Sequence, residues 1–231
     1  MSRLSVSAIV VVRNGERFLA QALDSVLSQT RPADEVLVID GGSTDATAEI
    51  ARSFAPVRLL QQPGTGLANA RNAGVGAATR ELVAFLDHDD LWLPRKLEVQ
   101  IARLEADPDL DYCHVHVRLF VEPGTPLRPG FTREFLEREH RGRTPGALVA
   151  RRALFARIGG FDERYAIGAD AEWFARAADL KTNGLEIAEP LLAKRIHAAN
   201  LSADAARNRH ELLNVIKRSL ERRRGRGEPG C

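Results

Sequence analysis

Near the middle of the sequence, a short apolar run ends in three aspartates: Leu82-Val83-Ala84-Phe85-Leu86-Asp87-His88-Asp89-Asp90. The run is typical of a buried parallel strand, and open α/β sheets bind ligands at the carboxyl ends of such strands. Carboxylates this close together repel one another, which favours a divalent cation such as Mg²⁺ or Mn²⁺. A solvated acidic turn is the simpler alternative, and this motif alone does not decide between the two.

Length and composition predict a globular protein. The 231 residues suit one large domain or a domain with an appendage, and 44% hydrophobic residues are ample for a core. A net charge of +2 gives the body of the protein no preference for nucleic acid or membrane. The cysteines, Cys113 and Cys231, form neither a disulfide framework nor a metal-type spacing. The apolar run at residues 6–12 is too short for a membrane span and unlike a signal peptide, so we expect a soluble, cytoplasmic protein.

The first half of the chain alternates strands and helices. β-branched and apolar runs predict strands at residues 4–12, 35–40, 57–61 and 82–86. Helices are predicted between them at 16–29, after 45 and at 67–78, the second with Ser43 or Thr44 as its N-cap. This pattern is typical of a parallel, doubly wound sheet with right-handed crossovers. Two loops that open helices offer backbone N–H groups to anions, which suits a nucleotide diphosphate.

Two other nucleotide-binding classes are disfavoured. Gly64-Thr65-Gly66 resembles the start of a dinucleotide fingerprint, but Asn69 stands where the third glycine belongs. The segment also follows the third strand rather than the first, so we exclude a dehydrogenase. A nucleotidyltransferase would need a glycine-rich, basic phosphate loop after the first strand, and the sequence has none.

The second half loses the regular alternation. We predict strands at residues 112–121, 146–150 and 187–196, and helices at 94–104, 151–158, 170–178 and 203–223. The polar, proline- and charge-rich composition of residues 122–143 predicts a variable loop with a short helix at 131–139. Cys113, His114 and His116 suggest a metal site, but neighbouring residues on a strand face opposite ways. A half-exposed sheet face is the better interpretation of this strand.

Six segments follow one another in the order of a known family. They are Ser7-Ala8-Ile9-Val10-Val11-Val12-Arg13-Asn14, Val38-Ile39-Asp40-Gly41-Gly42-Ser43-Thr44-Asp45, Leu67-Ala68-Asn69-Ala70-Arg71-Asn72-Ala73-Gly74, Phe85-Leu86-Asp87-His88-Asp89-Asp90 with Pro94 and Leu97-Glu98 after it, Gly159-Gly160-Phe161-Asp162-Glu163 and Gly168-Ala169-Asp170-Ala171-Glu172-Trp173. In these segments the chain resembles the inverting glycosyltransferases of family 2, from residue 5 to about residue 202.

The resemblance implies a fold and a domain organisation. The fold is a three-layer α/β/α A-type glycosyltransferase fold with a mostly parallel central sheet, of the nucleotide-diphospho-sugar transferase type. A single catalytic domain would occupy residues 1–202, with a nucleotide-binding half at 1–106 and an acceptor-side half at 107–202. A C-terminal helix and basic tail would follow at 203–231.

The resemblance also implies an activity and its residues. A sugar would move from a nucleotide-diphosphate donor, expected to be a UDP-sugar, to an acceptor hydroxyl with inversion. A divalent cation, Mn²⁺ or Mg²⁺, would stabilise the departing diphosphate, held by Asp87, Asp89 and His197, with Asp89 as the first choice. Asp170 would be the general base, with Glu172 as a second candidate. The implied nucleotide-sugar contacts are Val12, Asn14, Asp40, Arg71, Asp87, His88 and Asp90.

Several of these residues have simpler alternatives. Arg71 would otherwise be an exposed helix arginine, and Asp90 the N-cap of the helix that follows it. Asp170 would otherwise be an acid in the first turn of a helix. His88 is expected to point away from the metal, because strand neighbours alternate. Trp173, in a late segment of the resemblance, is interpreted as a core anchor rather than a sugar platform.

Two departures from the family pattern keep a non-catalytic alternative open. Gly41 stands where the second acid of the usual pair belongs, and Ala169 stands where a glutamate usually precedes the base. A degenerate relative would bind a nucleotide sugar or glycan without turnover. No Q-x-x-R-W pattern follows the base, which disfavours processive polysaccharide synthesis.

The partners are not identified by any motif. The acceptor would be a glycan, a lipid-linked or small-molecule acceptor, or a peptide. The implied setting is polysaccharide or cell-envelope glycan synthesis. A homodimer stays open. No nucleic-acid partner is expected. Residues 217–226 are strongly basic and are interpreted as a solvated helix face with a frayed tail. The alternative is a weak peripheral contact with the inner face of an anionic membrane, at about 1 kcal/mol per charge.

Overall fold

One mixed sheet with helices on both faces forms the fold of the computed structural model, which describes residues 3–127, 131–197 and 205–225. The strands are β1 (Val6–Val12), β2 (Glu35–Asp40), β3 (Val57–Gln61), β4 (Leu82–Asp87), β5 (Leu91–Trp92), β6 (Tyr112–Val121), β7 (Leu148–Arg151) and β8 (Gly184–Ile196). The helices are α1 (Leu19–Leu27), α2 (Thr47–Ser53), α3 (Leu67–Ala77), α4 (Lys96–Ala106), α5 (Arg133–Glu137), α6 (Arg152–Ile158), α7 (Ala169–Asp179) and α8 (Ala205–Arg224).

The strands of the described residues are ordered β3-β2-β1-β4-β7-β6-β8-β5 in the sheet. β3, β2, β1 and β4 are all parallel to one another. β7 pairs antiparallel with β4 and β6, β8 pairs parallel with β6, and β5 pairs antiparallel with β8. The predicted three-layer α/β/α fold with a mostly parallel sheet is confirmed. The first antiparallel pairing comes after β4, where the regular strand–helix alternation of the sequence ends.

β1 shows why the first half of the sheet folds as it does. Every residue of β1 is buried, because helices cover both faces of the sheet. Val10 lies in the apolar cluster on one face with Leu23 of α1, and Ile9 lies in the cluster on the other face. A strand buried on both sides needs a continuous apolar run rather than alternation. Trp173 is fully buried in the second cluster, which confirms the interpretation as a core anchor.

The start of α2 differs from the prediction. Neither Ser43 nor Thr44 is the N-cap; Ala46 occupies that position and offers no side-chain cap. The Oδ1 atom of Asp45 accepts a hydrogen bond from the Thr47 N–H at 3.1 Å and takes over the capping function. Ser43 turns back towards the preceding strand instead, because its hydroxyl donates to Asp40.

The interpretation of β6 as a half-exposed face is wrong for its first four residues. Tyr112 to Val115 are all buried, since β6 lies between β7 and β8 rather than at an edge of the sheet. Cys113 is a free, buried cysteine beside Gln100, and His114 packs edge-on against Phe174. Cys231 lies outside the described residues. His116 instead faces Glu186, with its Nε2 atom 2.9 Å from the carboxylate.

α8 packs along α7 and holds the beginning of that helix. The carboxylate of Glu211 accepts hydrogen bonds from the backbone N–H groups of Ala166, Ile167 and Gly168 at 2.7–3.2 Å. Gly168 is the N-cap residue of α7 and brings no side chain to cap the helix. The N–H groups at the start of a helix lack intrahelical partners, and Gly168 has no side chain to accept from them. Glu211 therefore supplies a carboxylate acceptor for the Gly168 N–H at the start of α7.

The basic end of α8 is engaged in ion pairs. Arg222 and Arg223 each donate to the buried carboxylate of Asp179 at 2.8 Å, and Arg222 also reaches Glu172 at 3.1 Å. The interpretation as a solvated face is therefore wrong for Arg222, while Arg223 stays about half exposed beside Asp179. Residues 203, 204 and 226–231 of the predicted helix and tail lie outside the described residues. In the described part of the chain, no helix is both long and apolar enough to cross a bilayer. The division of the chain at residue 202 stays a prediction.

Candidate functional site

The carboxyl ends of β1, β2 and β4 meet at one edge of the sheet. β1 lies between the other two strands, with Val12 opposite Asp40 of β2 and Val11 opposite Asp87 of β4. The parallel register therefore carries two of the predicted site aspartates to the same edge. Ligands of open α/β sheets bind at such an edge, where the loops after the strands form a crevice.

The loops after β1 and β2 are tied together by Asn14. This residue has a positive φ of 50°, which asparagine tolerates better than most residues. Its backbone N–H donates to the Ser43 hydroxyl at 2.8 Å, and its Oδ1 accepts from the Thr44 N–H at 2.9 Å. The Val12 carbonyl accepts from the Gly41 N–H at 2.8 Å, while the Val12 side chain lies in the core. Only the main chain of Val12 is thus available to a ligand.

Asp40 is buried and held on both carboxylate oxygens. Its Oδ1 accepts from the backbone N–H and the hydroxyl of Ser43, and its Oδ2 accepts from Gln61 Nε2 at 3.1 Å. At Gly41, an added Cβ would lie 2.9 Å from Gln62 Oε1. A glutamine side chain thus occupies the space beside the position where the family pattern has its second acid.

Arg71 and Asp87 form an ion pair at the end of β4. The Arg71 Nη2 lies 2.7 Å from Asp87 Oδ1, and Arg71 is only 3% exposed, so the alternative of an exposed helix arginine is wrong. Its Nε–H is buried without a hydrogen-bond partner among the described residues. Burial alone would raise the pKa of Asp87, but the positive charges of Arg71 and Lys194 lower it below its usual value.

Asp89 and His197 meet across the site. The Asp89 Oδ2 and the His197 Nε2 lie 2.9 Å apart, and the imidazole packs against the ring of Phe18 with 5.1 Å between centroids. Both side chains keep some exposure, 17% for Asp89 and 11% for His197. The structure therefore brings together two of the three predicted metal ligands, which lie 108 residues apart in the sequence.

Asp90 is buried and is not a helix cap. α4 begins after Arg95, and Asp90 instead accepts hydrogen bonds from the Arg195 N–H at 2.9 Å and from Lys194 Nζ at 3.2 Å. Burial raises the pKa of Asp90 to about 7, opposed by Lys194 and reinforced by the nearby carboxylates of Asp89 and Asp87. The carboxylate of Asp90 raises the pKa of Lys194 in turn.

Arg195 holds the acidic loop at residues 88–90, and no role was predicted for it from the sequence. Its Nε donates to the Asp89 carbonyl at 2.9 Å, while its two Nη atoms donate to Glu122 and to Gln21. The guanidinium lies 4.4 Å from the ring centroid of Phe18. The signal in the sequence was two adjacent basic residues, 194 and 195, that follow the apolar run at 190–193 within the predicted strand.

His88 lies on the side of the loop that follows β1. Its backbone N–H donates to the Val11 carbonyl, and a Cβ added at Gly15 would lie 2.7 Å from its ring. The imidazole therefore packs against the turn at Gly15.

The turn that leads to α7 is anchored on α3 by Asn72. Its Oδ1 accepts from the Phe161 N–H and its Nδ2 donates to the Phe161 carbonyl, both at 2.8 Å. A Cβ on Gly160 would lie 2.4 Å from Asn72 Oδ1, so only glycine permits this approach. Asn72 stands in a segment that carries the family resemblance, but a helix asparagine gave no sign of this long-range contact.

Asp170 lies in the first turn of α7 and within electrostatic reach of the Arg71–Asp87 pair. Its Oδ1 accepts from the Ala171 N–H at 2.7 Å. Burial raises the pKa of Asp170, Arg71 opposes the rise and Asp87 adds to it. Glu172 is not brought to this edge: it is buried and its carboxylate is bound by Arg176 and Arg222.

The donor set at this edge fits a divalent cation in its chemistry. Carboxylate oxygen and imidazole nitrogen, which Asp89 and His197 place 2.9 Å apart, are both ligands of such ions. Within the described residues, however, no three histidine, cysteine or acidic side chains are assembled as a metal cluster. Asp87, the third predicted ligand, is turned to Arg71 by the ion pair described above.

Comparison with known sequences identifies the family. The model of the family described as Glycosyl transferase family 2 matches residues 7–161, which include β1 to β4 and the turn at Gly160. An uncharacterized glycosyltransferase of Nostoc sp. is 40% identical over 100 residues, covering 41% of this chain and 31% of the relative. YibD of Escherichia coli, another uncharacterized glycosyltransferase, is 37% identical over 114 residues, covering 47% of this chain and 33% of the relative. The alignments thus span no more than a third of the length of these relatives.

Solved structures share the fold. The mannosyltransferase PcManGT from Pyrobaculum calidifontis, in complex with GDP-Man and Mn²⁺, has a TM-score of 0.71 at 22% identity, over 96% of this chain and 65% of that one. TarS 1-349 of S. aureus, in complex with UDP, has a TM-score of 0.66 at 21% identity, over 84% of this chain and 61% of that one. The family match covers more than half of the sequence and agrees with the A-type fold described above. The chain belongs to glycosyl transferase family 2.

Proposed function

We propose that this chain is an inverting glycosyltransferase that moves a sugar from a nucleotide-diphosphate donor to an acceptor hydroxyl. The observation that carries the proposal is the charged cluster at the end of β4, which contains the Arg71–Asp87 and Asp89–His197 pairs and has Asp170 within electrostatic reach of Arg71 and Asp87. A structurally similar transferase holds GDP-Man with Mn²⁺, and TarS holds UDP. Family membership rests on residues 7–161, so the roles of Asp170 and His197 rest on their geometry alone.

Donor binding is assigned to the edge formed by β1, β2 and β4. Asp40 lies where the nucleobase and ribose would reach the end of β2, beside the main chain of Val12 and the amide of Asn14. Arg71 combines a fixed guanidinium with a buried Nε–H that lacks a partner among the described residues, which suits an anionic ligand. His88 and Asp90 belong to the loop between β4 and β5 at this edge. A UDP-sugar is our first donor, and GDP- and dTDP-sugars are the alternatives to be tested.

A divalent cation is assigned to Asp89 and His197, with Asp87 as a further ligand. When bound, such a cation would act as a Lewis acid that stabilises the negative charge of the departing diphosphate. Arg195 would act through Asp89, because it holds the Asp89 carbonyl and thereby positions the acidic loop. Asp90 would act in the same way, since it joins that loop to β8 through Arg195 and Lys194.

Asp170 is assigned the role of general base. A carboxylate whose pKa is raised by burial retains a proton more readily, which suits the removal of a proton from an acceptor hydroxyl during bond formation. Glu172, the second candidate, is disfavoured because two arginines hold its buried carboxylate. The proton would pass from the acceptor oxygen to Asp170 as that oxygen bonds to the anomeric carbon and the diphosphate departs.

The test is release of nucleoside diphosphate from UDP-, GDP- and dTDP-sugars in the presence of Mn²⁺, with wild type, Asp170→Asn and Asp109→Asn. Asp109 is an exposed aspartate in the turn after α4 and is the matched control. We expect donor-dependent release by wild type and by the control, and a loss of roughly 10²- to 10⁴-fold in Asp170→Asn. Equal release by Asp170→Asn would contradict the assignment of the base. Nucleotide-sugar binding by wild type without any release would favour the non-catalytic alternative.

A further inference from the structure

The outward side of α8 is apolar. Leu212, Ile216 and Leu220 recur every four residues along the helix, and Leu213 lies beside them, so they form one stripe. These four side chains are between 41% and 58% exposed. They are four of the six large hydrophobic side chains exposed in the described residues, which makes the stripe the main apolar patch on that part of the surface.

The inward side of α8 is mostly polar. Glu211 caps α7, Arg218 donates to Asp162 at 3.2 Å, and Arg222 pairs with Asp179. Val215 is the buried hydrophobic residue of this side. A surface helix normally turns its apolar side to the protein, but α8 does the reverse within residues 209–224. Its attachment to the protein is thus already provided by hydrogen bonds and ion pairs, and the apolar stripe is left for another contact.

Positive charge surrounds the stripe. Arg209, Lys217 and Arg224 are exposed and lie on the outward side at 3.6 residues per turn. Seven arginine and lysine residues against two glutamates lie between Ala205 and Arg224, and Glu211 is buried against α7. An apolar stripe bordered by basic residues is complementary to an anionic lipid surface, where apolar side chains enter the acyl boundary and cations meet headgroups. A second copy of this chain would instead bring the same positive charges face to face.

We propose that the outward face of α8, defined by Leu212, Leu213, Ile216 and Leu220, docks onto an anionic lipid surface, with the helix lying in the plane of the interface. The basic tail considered from the sequence is not the main element of this contact, since Arg222 and Arg223 are paired with Asp179. The contact is independent of the proposed reaction, because none of the four side chains belongs to the charged cluster at the end of β4.

The experiment is co-sedimentation with vesicles of phosphatidylglycerol and phosphatidylcholine, compared with vesicles of phosphatidylcholine alone. We expect wild type to sediment with the anionic vesicles only, and less so at high salt, because ions screen the basic residues. Leu213→Glu and Ile216→Glu should each weaken binding by about tenfold or more, since each removes one apolar side chain from the stripe that enters the lipid and adds a negative charge. Lys217→Ala combined with Arg224→Ala should weaken binding to anionic vesicles while leaving the apolar stripe intact.

The matched control is Leu185→Glu, which alters an exposed leucine at the beginning of β8. It should bind vesicles as wild type does, and circular dichroism should show that all variants keep their helix content. The proposal is overturned if wild type does not sediment with anionic vesicles, or if the Leu213, Ile216 and Leu185 variants bind these vesicles equally well. It is also overturned in favour of self-association if wild type forms a dimer that Ile216→Glu dissolves while no vesicle binding is seen.

Discussion

The two parts of the sheet bring their charged groups to the candidate site by different means. In the first part, β1 to β4, Asp40 and Asp87 are the last residues of buried apolar strands, and the parallel register places them at one edge. In the second part, β6 to β8, Arg195 is buried at the end of a strand and is held by hydrogen bonds and stacked rings. Hydrophobic packing therefore positions one side of the site, and a network of charges positions the other.

This contrast predicts which kind of mutation damages each part. The first part should be sensitive to a change of volume, because apolar and small residues pack closely between its helices and strands. The second part should be sensitive to the removal of one charged partner, because a buried charge without its partner is strongly destabilising. The variants below are ordered from the largest expected effect to the smallest.

Arg195→Met should have the largest effect. It removes the donors to Asp89, Gln21 and Glu122, while Glu122 keeps its ion pair with Arg17. We expect the free energy of unfolding, measured by urea denaturation, to fall by about 3–5 kcal/mol, because three hydrogen bonds of a buried charged group are lost. Arg118→Met, at an exposed arginine of β6, is the control and should change stability by less than about 0.5 kcal/mol. Similar small effects for both variants would mean that charge does not hold the second part together.

Gly74→Ala should damage the first part through packing alone. A Cβ at this position of α3 would lie 2.3 Å from the Cγ2 of Ile9 in β1, so helix and strand would have to separate. We expect a loss of about 1–3 kcal/mol in urea denaturation. The control is Gly76→Ala on the same helix, where nothing lies within 4 Å of the added Cβ. That variant should gain up to about 1 kcal/mol from helix propensity, and a loss of equal size in both would refute the packing explanation.

Lys96→Met should change how stability depends on pH. Lys96 is fully buried on α4, which joins the two parts, and its Nζ lies 4.3 Å from the Trp92 ring centroid with no hydrogen-bond partner among the described residues. Burial lowers the pKa of Lys96 from 10.5 to about 7, opposed by Cys113. Between these two values the unfolded chain binds the proton and the folded chain does not. The free energy of unfolding of wild type should therefore rise with pH, by up to about 1.4 kcal/mol per pH unit.

In Lys96→Met this rise should be largely removed, and the variant should be more stable than wild type near pH 7. Urea denaturation at pH 7, 8 and 9 measures the slope. Lys217→Met, at an exposed lysine of α8, should keep the slope of wild type. A slope that is equal in all three proteins would show that Lys96 is protonated in the folded state.

Much of the fold follows from the sequence because its elements are locally determined. β2, β3 and β6 occupy the predicted residues, since their apolar runs are bounded by turns. The direction of β7 was not predicted and the exposure of β6 was predicted wrongly, because both depend on which strands become neighbours rather than on local pattern. The N-cap of α2 was missed because Asp45 competes with Ser43 and Thr44, and the long-range hydrogen bonds of Ser43 and Thr44 with Asn14 draw both residues away from the helix.

The candidate site divides in the same way. Asp87 and Asp89 follow a strand and were readable as a motif, and the structure brings them to one edge with His197, while their roles stay proposals. Arg195 and Lys194 were assigned no role, because their partner Asp90 is more than a hundred residues away in the sequence. Contacts over such separations leave no periodic signal in a single sequence.

The most direct test of the account is calorimetric titration of UDP, GDP and dTDP into wild type and Asp89→Ala, with Mn²⁺ and with EDTA. Asp109→Ala is the control for the loss of one carboxylate. The account predicts that wild type and the control bind at least one nucleotide more tightly with Mn²⁺ than with EDTA, and that Asp89→Ala loses this difference. Equal Mn²⁺-dependent binding by Asp89→Ala, or no binding of any of the three by wild type, would contradict the assignment of the donor site to the end of β4.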